Sequence, residues 1–152
     1  MKDIKCNKKC IICYEIKSEY YFYSNYDMCA KCLKELRIFK NNISSVVRSS
    51  LKYGTESYIW KFLPYRASDL KLHLEKQFEP WMNWNNRGIY KYSAWNDNDP
   101  KTWTWQLDHI VPQAAFLFTS VRDDSFKICW SLNNLRPLSS KNNIFKNRKV
   151  IL

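Results

Sequence analysis

An adjacent carboxylate and imidazole, Asp108-His109, stand between a run of β-formers and a proline in Trp105-Gln106-Leu107-Asp108-His109-Ile110-Val111-Pro112. These types suit hydrolysis: an aspartate oxygen can hold a hard cation, and an imidazole with an ordinary pKa of about 6.5 can take a proton from water near neutrality. Alone the dipeptide is a weak signal, because a partly buried histidine beside a solvated aspartate looks the same. The other histidine, His73, has no second ligand type near it and reads as a packing or hydrogen-bonding residue.

The cysteines carry a second chemistry. Cys10-Ile11-Ile12-Cys13 and Cys29-Ala30-Lys31-Cys32 are two Cys-x-x-Cys turns, each aiming two thiolates at one point. Four thiolates complete the tetrahedral shell of zinc and leave no position for substrate, so such a site is a structural clamp. Cys6 and Cys10 offer an alternative pair, and unligated thiols or a redox pair are the competing readings. Cys129, between Ile128 and Trp130, reads as a buried core thiol.

The elements that must position these groups follow from patterning. From Leu33 to about Lys52, Leu36, Phe39, Ile43, Val46, Val47 and Leu51 recur at helical steps with no Gly or Pro, decorated by Lys34, Arg37, Lys40 and Arg48. Ser68 is expected to cap a second helix running from Asp69 to about Phe78, which Pro80 ends. Tyr20 to Tyr23 and Tyr26 form an aromatic cluster that fits a short hairpin or a packing face, packing being the expectation. Residues 81–105, rich in Trp and Asn, are expected to be irregular chain pinned by aromatic anchors. Trp103 to Val111 reads as a strand, the stretch after Pro112 through Phe116 and Asp123-Asp124 as a loop, the run from Cys129 as a second strand region closed by Pro137, and the segment from Ser140 as a short helix.

The chain has 152 residues and a net charge of +11, concentrated in its two ends. That excess favours a polyanionic partner, nucleic acid before anionic membrane. No run is long and apolar enough for a membrane span, and Met1 to Cys6 lack a signal peptide's apolar core, so a cytoplasmic location is expected, in the host if the protein is viral.

Taken together, Asp108-His109, then Asn134-Leu135-Arg136-Pro137-Leu138, then Asn143 with Lys146 three residues on, resemble the HNH endonucleases. Leu70 to Phe78 and Met82 to Gly88 are similar to the segment preceding the hairpin in small phage-type members, so the resemblance covers roughly residues 68–149. It implies an α+β fold with a ββα-metal hairpin packed with helices, beside an N-terminal zinc-ribbon or knuckle module. The implied organisation is a four-cysteine zinc-binding module over residues 1–35, a helical connector over 36–67 and the HNH domain over 68–152. Many family members carry cysteines around the hairpin; Ser139 and Asn142 argue against a zinc there.

The resemblance also implies roles. Asp108 and Asn143 would hold one catalytic divalent ion, magnesium or manganese, and His109 would deprotonate the attacking water. Asn134 would hold the His109 loop. Apart from the resemblance, Arg136, Lys141, Lys146, Arg148 and Lys149 are five basic residues with no acid between positions 136 and 149, a track for DNA phosphates, and the spacing of Cys10, Cys13, Cys29 and Cys32 assigns them to structural zinc. The expected function is DNA phosphodiester cleavage, by nicking or double-strand cutting, with recruitment by a larger phage or host complex as a partner the resemblance admits. A non-catalytic zinc-containing DNA-binding adaptor and an RNA-directed nuclease are the alternatives.

Overall fold

A computed structural model describes residues 6–149, with side chains through residue 146. The chain is α+β, with two small antiparallel sheets among helices, and forms two compact units that divide between Val46 and Val47. The division falls inside the first helix and inside the stretch read as a connector. Among the described residues no helix is long and apolar enough to cross a membrane.

In the first unit, β1 (Asn7–Lys9) pairs with β2 (Ile16–Ser18), with Lys8 opposite Lys17. The turn between them folds back by Tyr14 N–H donating to the Cys10 carbonyl at 2.9 Å. Tyr14 takes a left-handed backbone, φ 59°, which a non-glycine residue holds only where its surroundings enforce it. The expected tyrosine packing face is not formed: Tyr20 is 89% exposed, and Tyr21, Tyr23 and Tyr26 are exposed too. Only Phe22 turns inward, bridging to Cys29 and packing on the cysteines.

The helical pattern between residues 33 and 52 appears as α1 (Ala30–Tyr53), with Leu33, Leu36, Ile43, Val47 and Leu51 buried on its apolar stripe. Gly54, at φ 70°, ends it by donating to the Ser50 carbonyl, the left-handed stop for which glycine is suited.

In the second unit α2 spans Ala67–Glu75, starting and ending earlier than expected. The reason is that Asp69 Oδ2 accepts the Arg66 N–H at 2.8 Å, so the start is fixed at Arg66 and Ser68 lies inside the helix. Leu70 and Leu74 are fully buried, as are the large core residues Trp105, Phe118, Phe126 and Trp130. The tryptophan-rich stretch is irregular chain pinned by rings. Trp105 lies 4.8 Å from Phe78 and 5.3 Å from Trp84 between centroids, and its Nε1 donates to the Asn83 carbonyl at 2.7 Å.

β3 (Trp105–His109) pairs antiparallel with β4 (Leu135–Ser139), placing Asp108 opposite Arg136 and His109 opposite Leu135. Pro137 does not close β4; it sits mid-strand opposite Leu107, tolerated because a two-stranded sheet leaves each strand an outer edge where no N–H is required. The connection between the strands is more structured than a loop. It contains α3 (Asp124–Cys129), preceded by a turn in which Asp123 Oδ2 accepts the N–H groups of Thr119 and Ser120. Cys129 is fully buried there. α4 (Ser140–Lys149) follows β4 directly.

Candidate functional site

Two clusters of reactive side chains form, one in each unit. In the first, the sulfurs of Cys10, Cys13, Cys29 and Cys32 all lie within 4.8 Å of one another. Zinc at about 2.3 Å from each sulfur asks for sulfurs roughly 3.8 Å apart, so the donor set fits a metal ion such as zinc. Cys6 lies outside this cluster and is exposed.

The surroundings of these thiols act on them unequally. Burial opposes ionisation of Cys10, yet N–H groups of Cys13, Cys29 and Ile12 outweigh it and lower its pKa to about 6. The Cys32 N–H lowers Cys29 in the same way, and Lys17 Nζ stands 3.5 Å from its sulfur. Burial pushes Cys32 up to about 12. Thiolate character is therefore unevenly shared, as expected when several sulfurs compete for few donors, and metal binding would release the remaining protons.

The second cluster sits at the end of β3. Asp108 is 5% exposed, and its two carboxylate oxygens each accept from Lys146 Nζ at 2.8 Å. Arg136 Nε adds a bond to Oδ2 at 2.9 Å from the facing strand. Lys146 also donates to the His109 carbonyl, so one residue of α4 clamps both members of the dipeptide.

His109 is held by packing. Its ring meets Trp130 edge to face, 4.5 Å between centroids, and the Gln113 amide approaches its Nε2 at 3.5 Å. Burial lowers its pKa to about 4 against the pull of the Asp108 charge, with the Lys146 charge adding to the fall, so the imidazole is neutral at pH 7.

Asn134 fixes the backbone just beyond His109. Its Oδ1 accepts the Val111 N–H at 2.7 Å, while Nδ2 donates to the Val111 carbonyl at 3.2 Å and to the Cys129 carbonyl at 2.8 Å. Its own carbonyl accepts the Ile110 N–H at 2.8 Å. From behind, His73 Nε2 donates to the Leu135 carbonyl at 2.9 Å, tying α2 to β4. Asn143 Nδ2 donates to Gln106 Oε1 at 2.9 Å, and Gln106 shares a face of β3 with Asp108.

Asp108, His109, Asn134, Arg136 and Lys146 thus form one connected group, and Asn143 bonds Gln106, two residues before Asp108 on the same strand face. Lys141 pairs instead with Asp97. Arg136, Lys141 and Lys146 are therefore all engaged with carboxylates, and the side chains of Arg148 and Lys149 lie outside the described ones. The carboxylate and amide oxygens of Asp108 and Asn143 are donors of the type magnesium prefers. An ion at Asp108 would compete with Lys146 and Arg136, which both hold its carboxylate in this structure. Sequence reasoning missed the packing of Trp130 on His109 and the acceptors of Lys146, since both depend on long-range folding.

No protein-family model matches the chain, and no solved structure matches it. An uncharacterized protein of Acanthamoeba polyphaga mimivirus is 27% identical over 114 residues, covering 72% of this chain and 43% of its own length. The chain therefore spans less than half of the relative that it matches.

Proposed function

We propose that this protein is a metal-dependent endonuclease of HNH type that hydrolyses phosphodiester bonds in DNA. The observation carrying this reading is the double restraint on Asp108-His109: Lys146 of the following helix binds the Asp108 carboxylate and the His109 carbonyl, and Asn134 holds Val111. Two strands and a helix converge on one carboxylate and one neutral imidazole, which is the arrangement this chemistry needs.

In that reaction His109 takes a proton from water, for which its unprotonated state at neutral pH is a requirement. The water oxygen bonds to phosphorus as the bond to the 3′ oxygen breaks, leaving 5′-phosphate and 3′-hydroxyl ends, with solvent protonating the leaving oxygen. Asp108 and Asn143 would hold a divalent ion, which supplies positive charge for the phosphorane-like transition state when bound. Asn134 acts as a positioning residue: it fixes the backbone two residues beyond His109 and so limits where the imidazole can point.

The deciding experiment is digestion of supercoiled plasmid with magnesium or manganese, with mapping of product ends. Wild type is expected to cut and His109→Ala to lose at least about a hundredfold in rate, the low end of general-base contributions. Undiminished cutting by the variant would remove His109 from the mechanism. Parallel digestion of RNA separates a DNA enzyme from an RNA-directed one. Saturation of Asp108 by Lys146 and Arg136 favours a second reading, a non-catalytic DNA-binding adaptor in which the site is a structural ion-pair network. Binding of DNA without cutting across several divalent metals would establish it.

A further inference from the structure

Beside this site, the second unit carries a cleft of about 700 Å³ whose charged lining is entirely basic: Arg48, Lys52, Lys71 and Arg87 contribute to it, with no aspartate or glutamate. The volume lies within the usual range of ligand sites. None of these four cations forms a salt bridge among the described residues. Aromatic rings hold several of them: Lys71 Nζ lies 5.2 Å and the Arg87 guanidinium 5.9 Å from the centre of Trp84, and Lys52 Nζ lies 4.9 Å from that of Tyr53. A ring positions an ammonium or guanidinium without cancelling its charge.

Arg87 is the strongest pointer. Its Nη2 donates to the Arg48 carbonyl at 3.0 Å, while its buried Nη1 has no acceptor among the described residues. Burial and the neighbouring Arg48 charge both disfavour its cationic form. A buried donor without an acceptor is costly, and an anion would satisfy it. Glu75, a carboxylate of this region, is engaged by Trp84 Nε1 at 2.6 Å and does not line the cleft.

The cleft also touches the Asp108 region. Gln106 and Asn143 line it, and Gln106 stands two residues before Asp108 on the same face of β3, about 7 Å along the strand. We propose that this cleft binds the phosphodiester backbone of a DNA strand and delivers that strand to Asp108-His109. The inference rests on the nuclease reading for the identity of the strand, but its binding component is separately testable. It assigns phosphate contact to residues of α1, α2 and the chain before β3 rather than to Arg136, Lys141 and Lys146, which are occupied by carboxylates.

The test uses the full chain carrying His109→Ala, so that cutting does not intervene, and a fluorescein-labelled DNA of about 20 base pairs titrated across salt concentrations. Lys52→Gln/Lys71→Gln replaces two exposed side chains; Lys61→Gln/Lys101→Gln, two exposed lysines that form no salt bridge among the described residues and do not line the cleft, is the charge-matched control. The cleft pair is expected to weaken binding at least about tenfold at roughly 0.1 M salt and to flatten the logarithmic salt slope by about 1.8, two phosphate contacts' worth. The control is expected to change binding by less than about twofold. Equal weakening by both pairs would overturn the cleft. A nucleoside monophosphate that displaces the DNA at micromolar concentration would overturn the strand in favour of a small ligand, and tighter binding of RNA would overturn DNA as the partner. Loss of binding in the cleft pair, together with no cutting by wild type, would leave the cleft standing while removing the nuclease reading. Cutting by wild type with unchanged binding in the cleft pair would do the reverse.

Discussion

Replacing Asn134 with alanine removes three hydrogen bonds at once, and the structure allows the cost to be apportioned. Val111 is substantially exposed, so its N–H and carbonyl can turn to water once the amide is gone. The Cys129 carbonyl belongs to a fully buried residue and is denied that compensation. One desolvated carbonyl costs about 1–3 kcal/mol and two solvent-replaceable bonds roughly 0.5 each, giving about 2–4 kcal/mol. For a unit somewhat above 100 residues this is a fall in Tm of roughly 10–20 °C. Asn134→Asp separates the two halves of the amide: it keeps an acceptor for Val111 N–H but turns a carboxylate toward two carbonyls, so at pH 7 it is expected to cost at least as much as alanine. All seven tryptophans lie after Val47, so fluorescence-monitored urea unfolding reads the second unit selectively. A loss below about 0.5 kcal/mol for alanine, or an aspartate variant as stable as wild type, would refute the view that the donor half anchors the loop.

Further consequences are open to direct measurement. The protein is expected to bind one zinc per chain by elemental analysis; Cys29→Ser should lose it and Cys6→Ser should keep it, with chelation unfolding the first unit while tryptophan fluorescence stays unchanged. His109 should make the second unit sensitive to acid. Its folded pKa of about 4 lies below the ordinary 6.5, so the unfolded chain binds the extra proton; the stability it confers is complete above 6.5 and lost as pH falls through 4. At most about 3 kcal/mol is involved, and His109→Gln should abolish that part of the pH dependence. Finally, Asp108→Asn and Lys146→Met should be coupled in a double-mutant cycle by about 1 kcal/mol, because Asp108→Asn leaves Lys146 without its carboxylate while Lys146→Met leaves Asp108 paired to Arg136 alone; additivity would deny that the pair acts as a unit.

What could be read from the sequence was what depends on near neighbours. The two Cys-x-x-Cys turns were legible because a knuckle is set by a few residues, and α1 because its apolar stripe runs without Gly or Pro. The edges of α2 were not, since Asp69 reaches back to Arg66 and moves the start upstream. Aromatic content suggested packing for Tyr20, Tyr21 and Tyr23, but composition does not tell which way a short hairpin faces, and the rings point to solvent. α3 carries too few residues to display a period. The Asp108-His109 dipeptide is visible in the sequence, whereas the attachment of Asp108 to Lys146, 38 residues away, requires the fold. The basic cleft was hidden for the same reason: Arg48, Lys71 and Arg87 come from three separate segments.

The long connection between β3 and β4 also bears on the order of events in folding. Those strands cannot pair until a chain of more than about twenty residues has been closed, whereas β4 and α4 are contiguous and form contacts locally. The bonds that seal the hairpin to its surroundings span still more, 62 residues for His73 to Leu135 and 65 for Tyr65 to Trp130. Closing that connection is therefore a condition for Asp108 to meet Arg136 across the hairpin, and lengthening it is expected to slow folding more than it lowers stability.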